Sequence, residues 1–154
     1  MGTPDPKPGS RLPAIAFLAL ALLAHPVSAS PDAPVAVDVG VVVASNEGAA
    51  MDPALSSIRD KLQSMFNYSS YRMIDRVTKT LSVGETGDFI LPGNLSMRAT
   101  PVPAKANKVR LAVEIKEGGK NLLSTTLGLS RGGMVLVGGP SFQKGVLILI
   151  ISAE

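Results

Sequence analysis

From Val35 onward every second residue is a valine: Val35, Val37, Val39, Val41 and Val43, separated by Ala36, Asp38, Gly40, Val42 and Ala44. A period of two in β-branched residues predicts a strand with one face buried. Ser45 to Met51 then reads as a loop. At Asp52-Pro53 the pattern changes, with a side-chain acceptor at a helix cap followed by a ring that needs no amide donor. Leu55, Ile58, Leu62 and Met65 follow at spacings of three and four, with Arg59, Asp60 and Ser64 between them. That spacing predicts an amphipathic helix laid on a sheet, ending at Phe66.

Beyond Ser70 the period returns to two, punctuated by turn residues. Tyr71 to Val83 reads as extended, and Gly84-Glu85-Thr86-Gly87 turns it into Asp88 to Leu91. Pro92-Gly93-Asn94 leads to Leu95 to Val102, where Pro101 and Pro103 close the segment because proline cannot donate to a ladder. The clearest alternation is Lys108 to Lys116, with Val109, Leu111, Val113 and Ile115 on one face. Leu122 to Leu129 and Met134 to Val137 follow paired glycines, and Gly138 to Gly145 reads as a loop. Short, glycine-rich connections favour antiparallel pairing over βαβ units. The last segment, Val146 to Ile151, is apolar at six successive positions. Both of its faces need cover, so it is predicted to be a central strand. The predicted architecture is α+β: mostly antiparallel β, a sandwich or a curled-sheet meander after a β-α-β opening, with one amphipathic helix near residues 53–66.

The amino-terminal residues follow a different logic. Lys7 and Arg11 precede an apolar run from Leu12 to Leu23, and the small residues Val27, Ser28 and Ala29 follow. These are the three parts of a signal peptide. The run is shorter than the about 20 apolar residues that span a bilayer. The expected organisation is a signal peptide over 1–29 and one β-rich domain over 30–154. The exported form is expected in the periplasm or outside the cell, with no membrane span after signal removal. Loss of Lys7, Arg11 and Asp5 takes the formal charge from +3 to +2. The remaining basic residues are spread along the chain, so a nucleic-acid partner is not expected.

Composition narrows the chemistry further. The one histidine, His25, lies in the signal segment, and there is no cysteine or tryptophan. Imidazole and thiol catalysis, disulfides and most zinc sites fall away, so no metal, cofactor or catalytic residue is expected and the protein is read as non-enzymatic. Ser141-Phe142-Gln143-Lys144 matches the serine-lysine spacing of penicillin-recognising enzymes, yet it falls between Pro140 and Gly145 without the companion motifs. Glu85, Glu114 and Glu117 read as solvated carboxylates, and no glycine pair opens a helix as a phosphate loop does. Asn67-Tyr68-Ser69 and Asn94-Leu95-Ser96 are glycosylation sequons in form, relevant only in a eukaryotic source.

One surface constellation stands out. Phe66, Tyr68 and Tyr71 hold half of the six aromatic residues, and Arg72 follows. Tyrosine and arginine combine contact area with polar reach, which suits an interface. Tyr68, Tyr71 and Arg72 are therefore the candidate interaction residues, against the plainer reading that they close the helix-to-strand junction as a minor core.

The carboxy-terminal third carries a likeness. Leu123-Ser124-Thr125-Thr126-Leu127, Arg131 to Gly139 and Gly145 to Ile150 form a threonine-bearing strand, an apolar strand ending in Gly-Gly, and a strongly apolar strand. Residues 122–151 thus resemble the end of the secretin domain, the ring-forming outer-membrane channel of bacterial secretion and pilus systems. Between Gly139 and Val146 stand six residues where secretins carry a longer insert, and the proline that usually follows their last strand is absent. The resemblance implies a role in envelope assembly, with an envelope protein or another copy as partner. The other reading of the sequence is a soluble periplasmic carrier holding an apolar small ligand between sheet and helix.

Overall fold

The structure, a computed structural model, describes Gly2 and residues 33–154. The expected signal segment falls outside the described residues apart from Gly2. Among the described residues eight strands form two four-stranded antiparallel sheets. They are β1 (Val35–Ser45), β2 (Ser70–Leu81), β3 (Gly87–Leu91), β4 (Leu95–Val102), β5 (Lys108–Glu117), β6 (Lys120–Ser130), β7 (Gly133–Phe142) and β8 (Gly145–Ala153). One sheet has the order β2-β1-β8-β7 and the other β3-β4-β5-β6. Among the described residues a single helical segment, a 3-10 turn over Pro53–Ile58 running into α1 (Arg59–Met65), joins β1 to β2. The class is α+β, and the sandwich prevails over the curled sheet. The predicted meander is confined to β3–β6, because β7 and β8 cross back to the first sheet.

β8 is central, flanked by β1 and β7. Its six apolar residues serve two cores. Leu147, Leu149 and Ile151 enter the core between the sheets, beside Val37, Val39 and Val41 of β1. Ile148 and Ile150 face the other way, into a second core with Val42, Leu55, Leu62 and Tyr71. The helix therefore forms a third layer over part of the first sheet. That layer explains why β1 stays buried at every position from Val39 to Ala44 although its valines alternate.

The helix begins as expected but does not keep one pitch. The Asp52 carboxylate accepts the Ala54 amide at 2.9 Å, and its second oxygen accepts the Met73 amide at 3.2 Å. Asp52 thereby caps the helix and ties it to β2. A 3-10 turn advances each residue by more than an α turn does, so the predicted stripe loses phase. Leu55 and Leu62 are buried, whereas Met65 is 54% exposed.

The expected loop over Gly138–Gly145 is instead mostly strand. β7 runs to Phe142 and meets Gly145 across a two-residue turn, with an irregularity between Gly138 and Ser141. Gly139 marks that bulge, where an added Cβ would lie 3.1 Å from the Leu147 carbonyl oxygen. Gly145 is under a tighter constraint: a Cβ there would stand 2.1 Å from the Ala44 carbonyl oxygen. Only glycine allows β8 to enter the sheet so close to β1.

On the outer face of the first sheet, Asp38 of β1 receives two β2 side chains. The Arg76 guanidinium lies 2.8 Å from it and the Thr78 hydroxyl donates at 2.7 Å. Burial pushes the Asp38 carboxyl up, but the hydrogen bonds from Arg76 and Thr78 and the Arg76 charge outweigh it, leaving it below its ordinary 3.8. A depressed carboxylate pKa contributes stability that is fully present above the ordinary value and lost as pH falls through the folded value. Melting temperature measured from neutral pH down through the range below about pH 4 is therefore expected to fall less steeply for Asp38→Asn than for the unmodified chain. Parallel curves would show that the cluster does not couple to protonation.

Candidate interaction surfaces

Tyr68, Tyr71 and Arg72 sit where α1 hands over to β2, and the structure separates their roles. Tyr71 is fully buried in the second core. Its hydroxyl donates to the Phe66 carbonyl, lies 3.3 Å from the Leu62 carbonyl, and accepts the Tyr68 amide at 3.2 Å. It thus ties the carboxy-terminal end of α1 to β2. Tyr71 offers no surface, which corrects its place among the candidates. Tyr68 is half-buried against the same core. Arg72 is exposed and takes part in none of the ion pairs among the described residues.

Arg72 opens onto a groove of about 680 Å³ at the end of the first sheet, bordered by Ser45, Glu47, Asp52, Gln143 and Lys144. Lys144 pairs with Glu47 at 2.9 Å, both side chains well exposed, so the pair contributes little. Lys144 is thus paired across the groove. Asp52 has both oxygens engaged by backbone amides. Among the described residues no group of three or more His, Asp or Glu is placed to hold a metal ion.

The free strand edges are a feature that the sequence did not single out. A sandwich of open sheets has four, and an unpaired edge is a template for another strand unless something blunts it. β2 carries Arg72, Asp75, Arg76 and Lys79. β3 has five residues and bears Asp88. β7 is broken by its bulge and by Pro140. β6 keeps its one irregularity near Leu122 and its one charge, Lys120, at its beginning, and Leu123 to Leu129 is a regular stretch without charge or proline.

The direction of its free groups follows from the ladder. Arg131 N–H donates to the Asn107 carbonyl, one position beyond the Lys108–Ser130 pair. Alternation along an antiparallel ladder then turns the amides and carbonyls of Thr125 and Leu127 toward β5, and those of Ser124, Thr126 and Gly128 outward. On the interior face, Leu123, Thr125 and Leu127 stand opposite the buried Ile115, Val113 and Leu111. Leu123 and Leu127 are nevertheless only half-buried and Thr125 is exposed. The sandwich is open along this side, where an apolar cleft of about 160 Å³ is lined by Leu95, Ile115, Leu122, Leu123, Val137 and Leu149.

No family model matches the chain, and no curated protein matches it. Among solved structures, it is similar to the T2SS secretin XcpQ from Pseudomonas aeruginosa, determined by cryo-EM, at 11% identity with a TM-score of 0.33. That overlay covers 80% of this chain, and this chain spans 59% of the secretin chain. It is a weak structural resemblance and carries no argument about mechanism. No described helix is long and apolar enough to cross a membrane.

Proposed function

We propose that this chain is a non-enzymatic binding module of the bacterial envelope that joins another protein chain by strand addition at β6. The observation that carries the reading is the contrast among the four edges of the described residues: three are interrupted by charge, shortness or a central bulge with proline, whereas β6 offers a regular stretch, Leu123 to Leu129, without charge or proline. In strand addition the main-chain hydrogen bonds supply affinity, and alternate side chains entering a cleft supply specificity. The half-open apolar side under Leu123 and Leu127 suits that mode. Export through the amino-terminal segment places the module in the envelope under this reading. A carrier of an apolar small molecule has less support. Between sheet and helix, where such a ligand would lie, the side chains of Val42, Leu55, Leu62, Tyr71 and Ile148 pack as a buried core.

The test uses Thr126→Pro. Thr126 points its amide away from β5, so the ring removes an outward donor and leaves the β5 ladder intact. The unmodified chain is expected to be recovered from its native compartment in a complex larger than a monomer. Thr126→Pro is expected to lose that association while its melting temperature moves by only a few degrees, roughly the effect of 1 kcal/mol in a domain of this size. Association undiminished in the proline variant would overturn the assignment of β6.

A further inference from the structure

The open edge is self-complementary, and we infer that its occupant is β6 of a second copy of this chain, paired antiparallel about a two-fold axis at Thr125 or Thr126. This inference rests on the strand-addition reading above and names the partner. Two copies of a β6 edge that is neutral from Asn121 to Leu129 meet without like charges. The flanking cations Lys120 and Arg131 lie beyond the ends of the ladder.

The outward groups of Ser124 and Thr126 find partners in either placement of the axis, and those of Gly128 when the axis lies at Thr126. With the axis at Thr125, Ser124 of each copy bonds Thr126 of the other. Leu123 then stands beside Leu127 on the interior face, twice over. With the axis at Thr126, the two Thr126 residues bond each other, Ser124 faces Gly128, and Leu127 packs beside Thr125. Both registers keep the irregularity of β6 near Leu122, at the Ile115–Lys116 step of β5, outside the ladder. Each makes about four to six backbone hydrogen bonds, and each covers the half-buried Leu123 and Leu127 with apolar or threonine side chains. The outcome is a continuous eight-stranded sheet across two sandwiches, with an isologous contact that closes on itself and so stops at the dimer.

Absence of cysteine makes the test clean. Thr125→Cys and Thr126→Cys each introduce one thiol, and cross-strand neighbours at an axis lie within disulfide reach. Ser130→Cys is the control, because its mate in the dimer would be about eight to ten positions, or roughly 26–34 Å, away along the strand. Light scattering of the purified chain is expected to show a concentration-dependent dimer that rising salt does not weaken. Mild oxidation is expected to link at least one of the two threonine-site variants into a dimer and to leave the Ser130→Cys variant unlinked. The Thr126→Pro variant is expected to be monomeric with its fold retained. A dimer that links through neither threonine site, or a monomer at every concentration, overturns self-pairing. In the second case, Thr126→Pro still decides the strand-addition reading separately, through its effect on capture of a different envelope protein.

Discussion

Ile148→Asp is expected to unfold the domain or bring it to the margin of stability. Ile148 is fully buried, between Val42 on β1 and Gly138 on β7 in the register, and it packs in the core beneath the helix with Leu55 and Leu62. An aspartate there has no cation among its core neighbours. Either it ionises without a partner or it takes up a proton at the cost of its solvation, and either route costs at least about 3 kcal/mol. Domains of this kind are stable by about 5–15 kcal/mol in total. Ile148→Ala leaves a cavity without a charge and is expected to cost about 2–5 kcal/mol. Denaturant melts of both variants, with solubility after expression, check the order. Ending the chain after Gly145 removes the strand that holds β1 and β7 together, and no cooperatively folded product is expected. A soluble, cooperatively melting truncation would show that β1 and β7 can close without β8.

Tyr71 carries the second large effect, and here the two halves of one side chain can be separated. Tyr71→Ala empties an aromatic volume from the second core and is expected to cost about 3–5 kcal/mol. Tyr71→Phe keeps the ring and removes only the hydroxyl. The Phe66 carbonyl and the Tyr68 amide keep only the turn bond between them, and the lost hydroxyl bonds carry an expected cost of about 0.5–1.5 kcal/mol. The phenylalanine variant should also loosen the last turn of α1, read as faster amide exchange near Phe66 with little change in the sandwich. Arg72→Ala is the comparison: an exposed side chain outside the core, expected to shift stability by no more than about 0.5 kcal/mol. If Tyr71→Phe melted like the unmodified chain, the hydroxyl would contribute nothing and the ring alone would hold the junction.

Strand identity was legible because half-buried strands alternate and fully buried ones do not. The valines of β1 and the alternation of β5 announced one buried face each. The six-residue run of β8 announced two, and a central position follows from that need, whereas the choice of β1 and β7 as its neighbours came with the sheet order. Asp52-Pro53 marked the helix start for a local reason, the unpaired amides of a first turn. Other features depended on partners far along the chain. Gly138-Gly139-Pro140 reads as a loop because glycine and proline are turn residues, yet Leu147 across the ladder accommodates them as a bulge inside β7. Met65 fits an ideal helical stripe and still faces solvent, since the 3-10 turn before it shifts the phase. Tyr71 and Arg72 are neighbours in sequence, and strand alternation sends one into the core and the other onto the surface. The open β6 edge had no local signal beyond a lack of charge. A strand becomes an edge only when the sheet order is set, and β7 leaves β6 unpaired by crossing to the other sheet. The residues determined which segments would be strands and which faces they would bury; the tertiary structure decided which backbone groups were left without a neighbour, because that depends on pairings between segments far apart in the chain.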